Sequence, residues 1–126
     1  MRISLITVLR RGNMTLTPEN QRDADLQTIS ALKRSGSNMS KPYRVEHHFV
    51  SKNKTNLEAL RNHAISQEHQ VSEILSTGLL FKTYFFDIII DTVPTIENIT
   101  PASTAMRQLA AKHSCSYDGW GCEVVK

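Results

Sequence analysis

At 126 residues, with 40% hydrophobic and 21% charged side chains, the chain is sized for one domain that buries a core without disulfides or a structural metal. No apolar run approaches the roughly 20 residues of a membrane span, so a soluble globular protein is expected. The net charge of +3 sits in residues 1–12, where Arg2, Arg10 and Arg11 meet no acid; residues 13–126 are balanced, which excludes a clustered basic nucleic-acid footprint.

Residues 1–16 read as an N-terminal extension ahead of a single domain over 17–126. Within the extension, the apolar stretch Ile3–Leu9 runs into Arg10-Arg11, the reverse of the charge order in a secretory signal. A cytoplasmic protein is expected, with Met14 as an alternative start. Thr17 as N-cap, Pro18 at the first helical position and Glu19 in the first turn predict a helix. Its apolar stripe is Leu26, Ile29 and Leu32, and Lys33, Arg34 and Gly36 end it. After a loop, "YRVEHHFVS" (43–51) predicts a strand rich in β-branched and aromatic residues. "KTNLEALRNHAISQ" carries a Thr55–Glu58 capping box and an apolar stripe of Leu57, Leu60 and Ala64, a second helix.

"QVSEIL" predicts a short second strand, "STG" a tight turn, and "LFKTYFFDIIIDT" a long third strand. Thr100-Pro101 repeats the Thr-Pro helix start, with Ala102, Ala105, Met106, Leu109 and Ala110 on the buried face. "YDGWGCEVV" is the fourth strand. An initial helix followed by βαββαβ predicts an α+β, ferredoxin-like fold: a four-stranded antiparallel sheet with helices on one face, plus the extra N-terminal helix. In that plan the fourth strand lies beside the first, so "VEHHF" and "YDGWG" become neighbours.

Period two splits the first strand into Tyr43, Val45, His47 and Phe49, facing the helices, and Arg44, Glu46, His48 and Val50, facing away. His47 reads as a core histidine hydrogen-bonded to a neighbour. Adjacent histidines on a strand point apart and cannot chelate one ion together, so no metal is expected. Cys115 and Cys122, about 23 Å apart if they share a strand, are expected as thiols. On the third strand, Tyr84, Phe86, Ile88 and Ile90 face the helices, leaving Thr83, Phe85, Asp87, Ile89 and Asp91 outside. On the fourth, Asp118, Trp120 and Cys122 share a face. Gly119 and Gly121 permit a bulge or a close backbone approach. Trp120 reads either as packing at the sheet edge or as an aromatic anchor for a partner.

The expected partner-binding set is Glu46, His48, Phe85, Asp87, Asp118, Gly119, Trp120 and Gly121. A locally acidic, partly aromatic face suits a basic, arginine-rich segment and repels phosphate. "FKTYFFDI" lacks the aromatic segment of RNA-recognition domains and brings acids. No nucleophile or phosphate cradle accompanies His48 and Asp118, and no GxGxxG, P-loop or HExxH motif is present, so neither an enzyme nor a cofactor is expected.

Together, "VEHHF" (45–49) and "YDGWG" (117–121) resemble the signature segments of the regulator of ribonuclease activity B (RraB) family. The likeness covers roughly Thr17 to Lys126, including the helix before the first strand. It implies a cytoplasmic bacterial protein, without catalytic activity, that inhibits RNA cleavage by binding the non-catalytic scaffold region of ribonuclease E. Well-known members are acidic and carry a long acidic tail; this sequence ends at Val125-Lys126. The alternatives are another protein partner for the same fold, as in an immunity-type inhibitor, and a direct RNA-binding module. Neither a membrane nor a nucleic-acid partner is expected, and the oligomeric state is left open.

Overall fold

In chain order the elements are β1 (Ser4–Ile6), α1 (Pro18–Arg34), β2 (Tyr43–Ser51), α2 (Lys54–Ser66), β3 (Gln70–Val71), β4 (Leu75–Thr77), β5 (Thr83–Thr92), α3 (Ile96–Lys112) and β6 (Ser116–Glu123). This is a computed structural model that describes residues 4–6 and 18–123, with side chains described over 21–122. The proposed cap Thr17 and most of the 1–16 extension lie outside the described residues.

The sheet order is β1-β6-β2-β5-β3, with β4 also paired to β5, and every pairing is antiparallel. This is the expected ferredoxin-like order, with β2 and β5 central and β6 beside β2. Two features go beyond the four expected strands. Ser4–Ile6, inside the expected extension, pairs with β6 through Leu5 opposite Cys122. The second strand is two short pieces, β3 and β4, either side of Ser72. There the Ser72 N–H donates to the Asp87 carbonyl (3.0 Å), and the Asp87 N–H donates to Ser72 Oγ (2.8 Å).

Two helix starts differ from the sequence expectation. For α2 the cap is Asn53, whose side chain accepts from the Asn56 N–H at 3.1 Å; Thr55 lies inside the helix. For α3 the cap is Thr95, whose hydroxyl accepts from the Asn98 N–H at 3.3 Å, and Pro101 falls inside the helix. Pro101 cannot donate to the Glu97 carbonyl, but this early in the helix it forgoes only that one backbone bond.

The helices cover one face of the sheet. Leu57, Leu60 and Ala64 of α2 and Met106 and Ala110 of α3 pack on Phe49, Phe86, Ile88 and Tyr117. Ile29 and Leu32 of α1 join Ile99, Tyr43, Val45, Trp120 and Cys122 in a second cluster. The α1 stripe is rotated from expectation: Leu26 is exposed, while Gln21, Ala24, Asp25 and Thr28 are buried. The α3 face is rotated too, through Ile99 and Ser103, leaving Ala105 exposed. Cys115 and Cys122 are both thiols. No helix of the described residues is long and apolar enough to cross a membrane.

Candidate functional site

On the face of the sheet away from the helices, the β2–β5 register sets His48 opposite Asp87, Val50 opposite Phe85, Glu46 opposite Ile89 and Arg44 opposite Asp91. Strand alternation delivers this set as expected, because Tyr43, Val45, His47 and Phe49 are all buried on the other side. His47 is closed into the core with Nδ1 2.8 Å from the Tyr117 hydroxyl. Burial, and secondarily the neighbouring His48, lower its pKa from 6.5 to about 3, so the imidazole stays neutral. Burial likewise pushes the Tyr117 phenol up, with the charge of Asp25 adding to it.

β6 joins the site through a bulge. His47 pairs with Trp120 but Phe49 pairs with Tyr117, so Asp118 and Gly119 together oppose the single residue His48. Gly119 has φ +91°, a conformation that side-chain-bearing residues rarely adopt. The bulge resets the alternation. Tyr117 and Trp120, three apart, both face the helices, while Asp118 faces the open side.

This corrects the placement of Trp120 on the same face as Asp118. Trp120 is fully buried, and its indole N–H donates to Asp25 Oδ1 at 2.9 Å. Asp25 also accepts from Gln21 Nε2 (2.9 Å), Thr100 Oγ1 (2.9 Å) and Ser103 Oγ (2.7 Å). One carboxylate thereby ties α1, α3 and β6 together. A signal for it was present: Asp25 lies four residues before Ile29 and seven before Leu32, on the same helical stripe.

His48, Val50, Phe85, Asp87 and Asp118 line one shallow depression on the open face. Glu46 sits one step along the same side of β2, opposite Ile89 and the buried Gly121. His48 Nδ1 lies 2.8 Å from Asp87 Oδ1. The carboxylate can only accept, so Nδ1 carries the proton and faces it, with Nε2 on the far side of the ring. That Nε2 is buried and meets no hydrogen-bond partner. The carboxylates of Asp87 and Asp118 around the apolar patch of Val50 and Phe85 favour a donor-rich, flat cation, and a guanidinium has that form. Among the described residues no group of three or more His, Cys, Asp or Glu side chains is placed to hold a metal.

A family model described as "Regulator of ribonuclease activity B" (RraB) matches residues 22–122. The chain is 33% identical over 100 residues to the Regulator of ribonuclease activity B of Alteromonas mediterranea, covering 75% of this chain and 74% of that protein. Against the proteins of the same name from Photobacterium profundum and Pseudoalteromonas translucida, identity is 31% over 108 residues and 30% over 105. Each match covers 82% of this chain, and 80% and 95% of the respective relatives.

Proposed function

This chain belongs to the regulator of ribonuclease activity B family, and from that premise we propose that it is a non-enzymatic, cytoplasmic inhibitor that binds ribonuclease E. The observation that carries the reading to the level of a surface is the depression lined by His48, Asp87 and Asp118, with two carboxylates beside an apolar patch. Its chemistry suits an arginine-rich segment, and in ribonuclease E the segment expected to meet it lies in the non-catalytic scaffold region. Glu46 on β2 adds a third acidic group, and Phe85 and Val50 give the aliphatic stem of an arginine an apolar floor.

The same surface disfavours phosphate, which is why a protein partner is preferred to RNA. Electrostatic complementarity of this kind raises the association rate and weakens as salt screens it.

The test is RNA cleavage by purified ribonuclease E, in full-length form and without its scaffold region, titrated with this chain. The full-length enzyme is expected to be inhibited and the truncated one to be unaffected. Unchanged cleavage by the full-length enzyme, with no complex formed, would move the partner to another protein. Binding of the bare RNA at physiological salt would replace the reading with an RNA-binding module.

A further inference from the structure

The tip between β4 and β5 is the most exposed apolar feature of the described residues. Leu79, Leu80 and Phe81 are 96%, 89% and 87% exposed, and Leu75 at the base of the same hairpin is 58% exposed. The turn that presents them is closed by Gly78 at φ +96°, where an added Cβ would stand 2.4 Å from the Phe81 carbonyl oxygen. Consecutive large apolar side chains left in water at a fixed turn usually mark a contact surface.

The charged side chains nearest the tip are basic. Between Glu73 and Asp87 the only charged residue is Lys82. Ser51 pairs with Tyr84, so the β2–α2 connection brings Lys52 and Lys54 to the same end of the sheet. Lys54 Nζ stands 6.0 Å from the centre of the Tyr84 ring. All three lysines are exposed. The nearest acid in that connection is Glu58, one turn further along α2. Glu46, Asp87 and Asp118 lie further back along the strands.

We propose that this tip, Leu79-Leu80-Phe81 flanked by Lys52, Lys54 and Lys82, docks on an anionic lipid surface. The apolar side chains enter the headgroup boundary, and the lysines meet the negative headgroups. A second copy of the chain is the less suitable occupant. A stable protein interface buries about 800 Å² on each partner, and a three-residue convex tip does not supply that area. An interfacial lipid contact needs only a few apolar side chains with a basic surround. This goes beyond the ribonuclease reading and departs from the absence of a membrane partner expected from the sequence.

The experiment is co-sedimentation of the full chain with phosphatidylcholine vesicles, with and without phosphatidylglycerol. Two variants are run alongside it: Leu80→Asp with Phe81→Asp, and Lys52→Glu with Lys54→Glu and Lys82→Glu. The altered side chains are solvent-exposed, and circular dichroism checks that both variants stay folded. The expected result is pelleting with phosphatidylglycerol vesicles only, weakened by added salt and reduced at least about tenfold in either variant. No pelleting with anionic vesicles at low salt overturns the proposal, as does pelleting that Leu80→Asp with Phe81→Asp leaves unchanged. Concentration-dependent self-association in sedimentation velocity, abolished by that pair, would give the tip to a second copy instead.

Discussion

Replacing Asp25 with Ala should cost far more than any other single loss of charge in the described chain. The substitution strands the Trp120 indole N–H and the Gln21 amide N–H in a site both residues share with no solvent. A buried donor left without an acceptor costs about 1–3 kcal/mol, so these two together cost about 4 kcal/mol. Ser103 loses less, because its hydroxyl also reaches the Thr100 carbonyl at 3.2 Å. Against a total stability of roughly 5–15 kcal/mol for a domain of this size, that is a large fraction.

Asp25→Asn keeps an acceptor for the indole and should cost only about 1–2 kcal/mol. Trp120→Phe removes the donor itself, so Asp25→Ala combined with Trp120→Phe should cost about 1.5–3 kcal/mol less than the sum of the single changes. Urea unfolding of all four variants, followed by far-ultraviolet circular dichroism because Trp120 is altered, measures each value. Strict additivity, or a cost below about 1 kcal/mol for Asp25→Ala, would refute the reasoning that this carboxylate joins α1, α3 and β6.

Two further outcomes follow from the strands. Folded His47 has a pKa of about 3 against 6.5 when exposed, so only the unfolded chain takes up a proton between those values. The stability it contributes is complete above pH 6.5 and is lost as pH falls toward about 3. The slope is about 1.4 kcal/mol per pH unit, or about 2 kcal/mol by pH 5. His47→Phe should flatten urea-measured stability over that range, and an unchanged slope in the variant would exclude His47 as its source. Gly119→Ala forces a side chain into φ +91° and should destabilise by about 1–2 kcal/mol; a neutral or stabilising effect would mean that the bulge does not need its glycine.

The central strands were legible in the sequence because period two is a geometric necessity there. The outward set of β2 and β5, including His48 and Asp87, follows from it directly. The same rule failed on β6, since the Asp118-Gly119 bulge inserts one residue and moves Trp120 into the core. The glycine permits such a bulge, but the sequence does not say that Asp118 and Gly119 would share one partner. The α1 stripe was misplaced by reading Leu26 as buried. Polarity hid the true face, where Gln21, Asp25 and Thr28 are buried and Asp25 is satisfied by donors from elements about 75–95 residues away. Pro101 drew the α3 start five residues too late, because proline's preference for a first turn outweighed the Thr95 cap in the local pattern.

The reading of the open face as the docking surface for ribonuclease E is tested most directly by binding of Glu46→Lys with Asp118→Lys. Both residues are on the sheet face away from the helices, and circular dichroism with the unfolding midpoint checks that the double variant stays folded. Affinity for full-length ribonuclease E, measured by calorimetry, should fall by at least about a hundredfold, the scale on which central interface residues act. RNA binding, measured in parallel, should be absent in both proteins. A folded double variant that binds ribonuclease E as tightly as the wild type would contradict the assignment of this face.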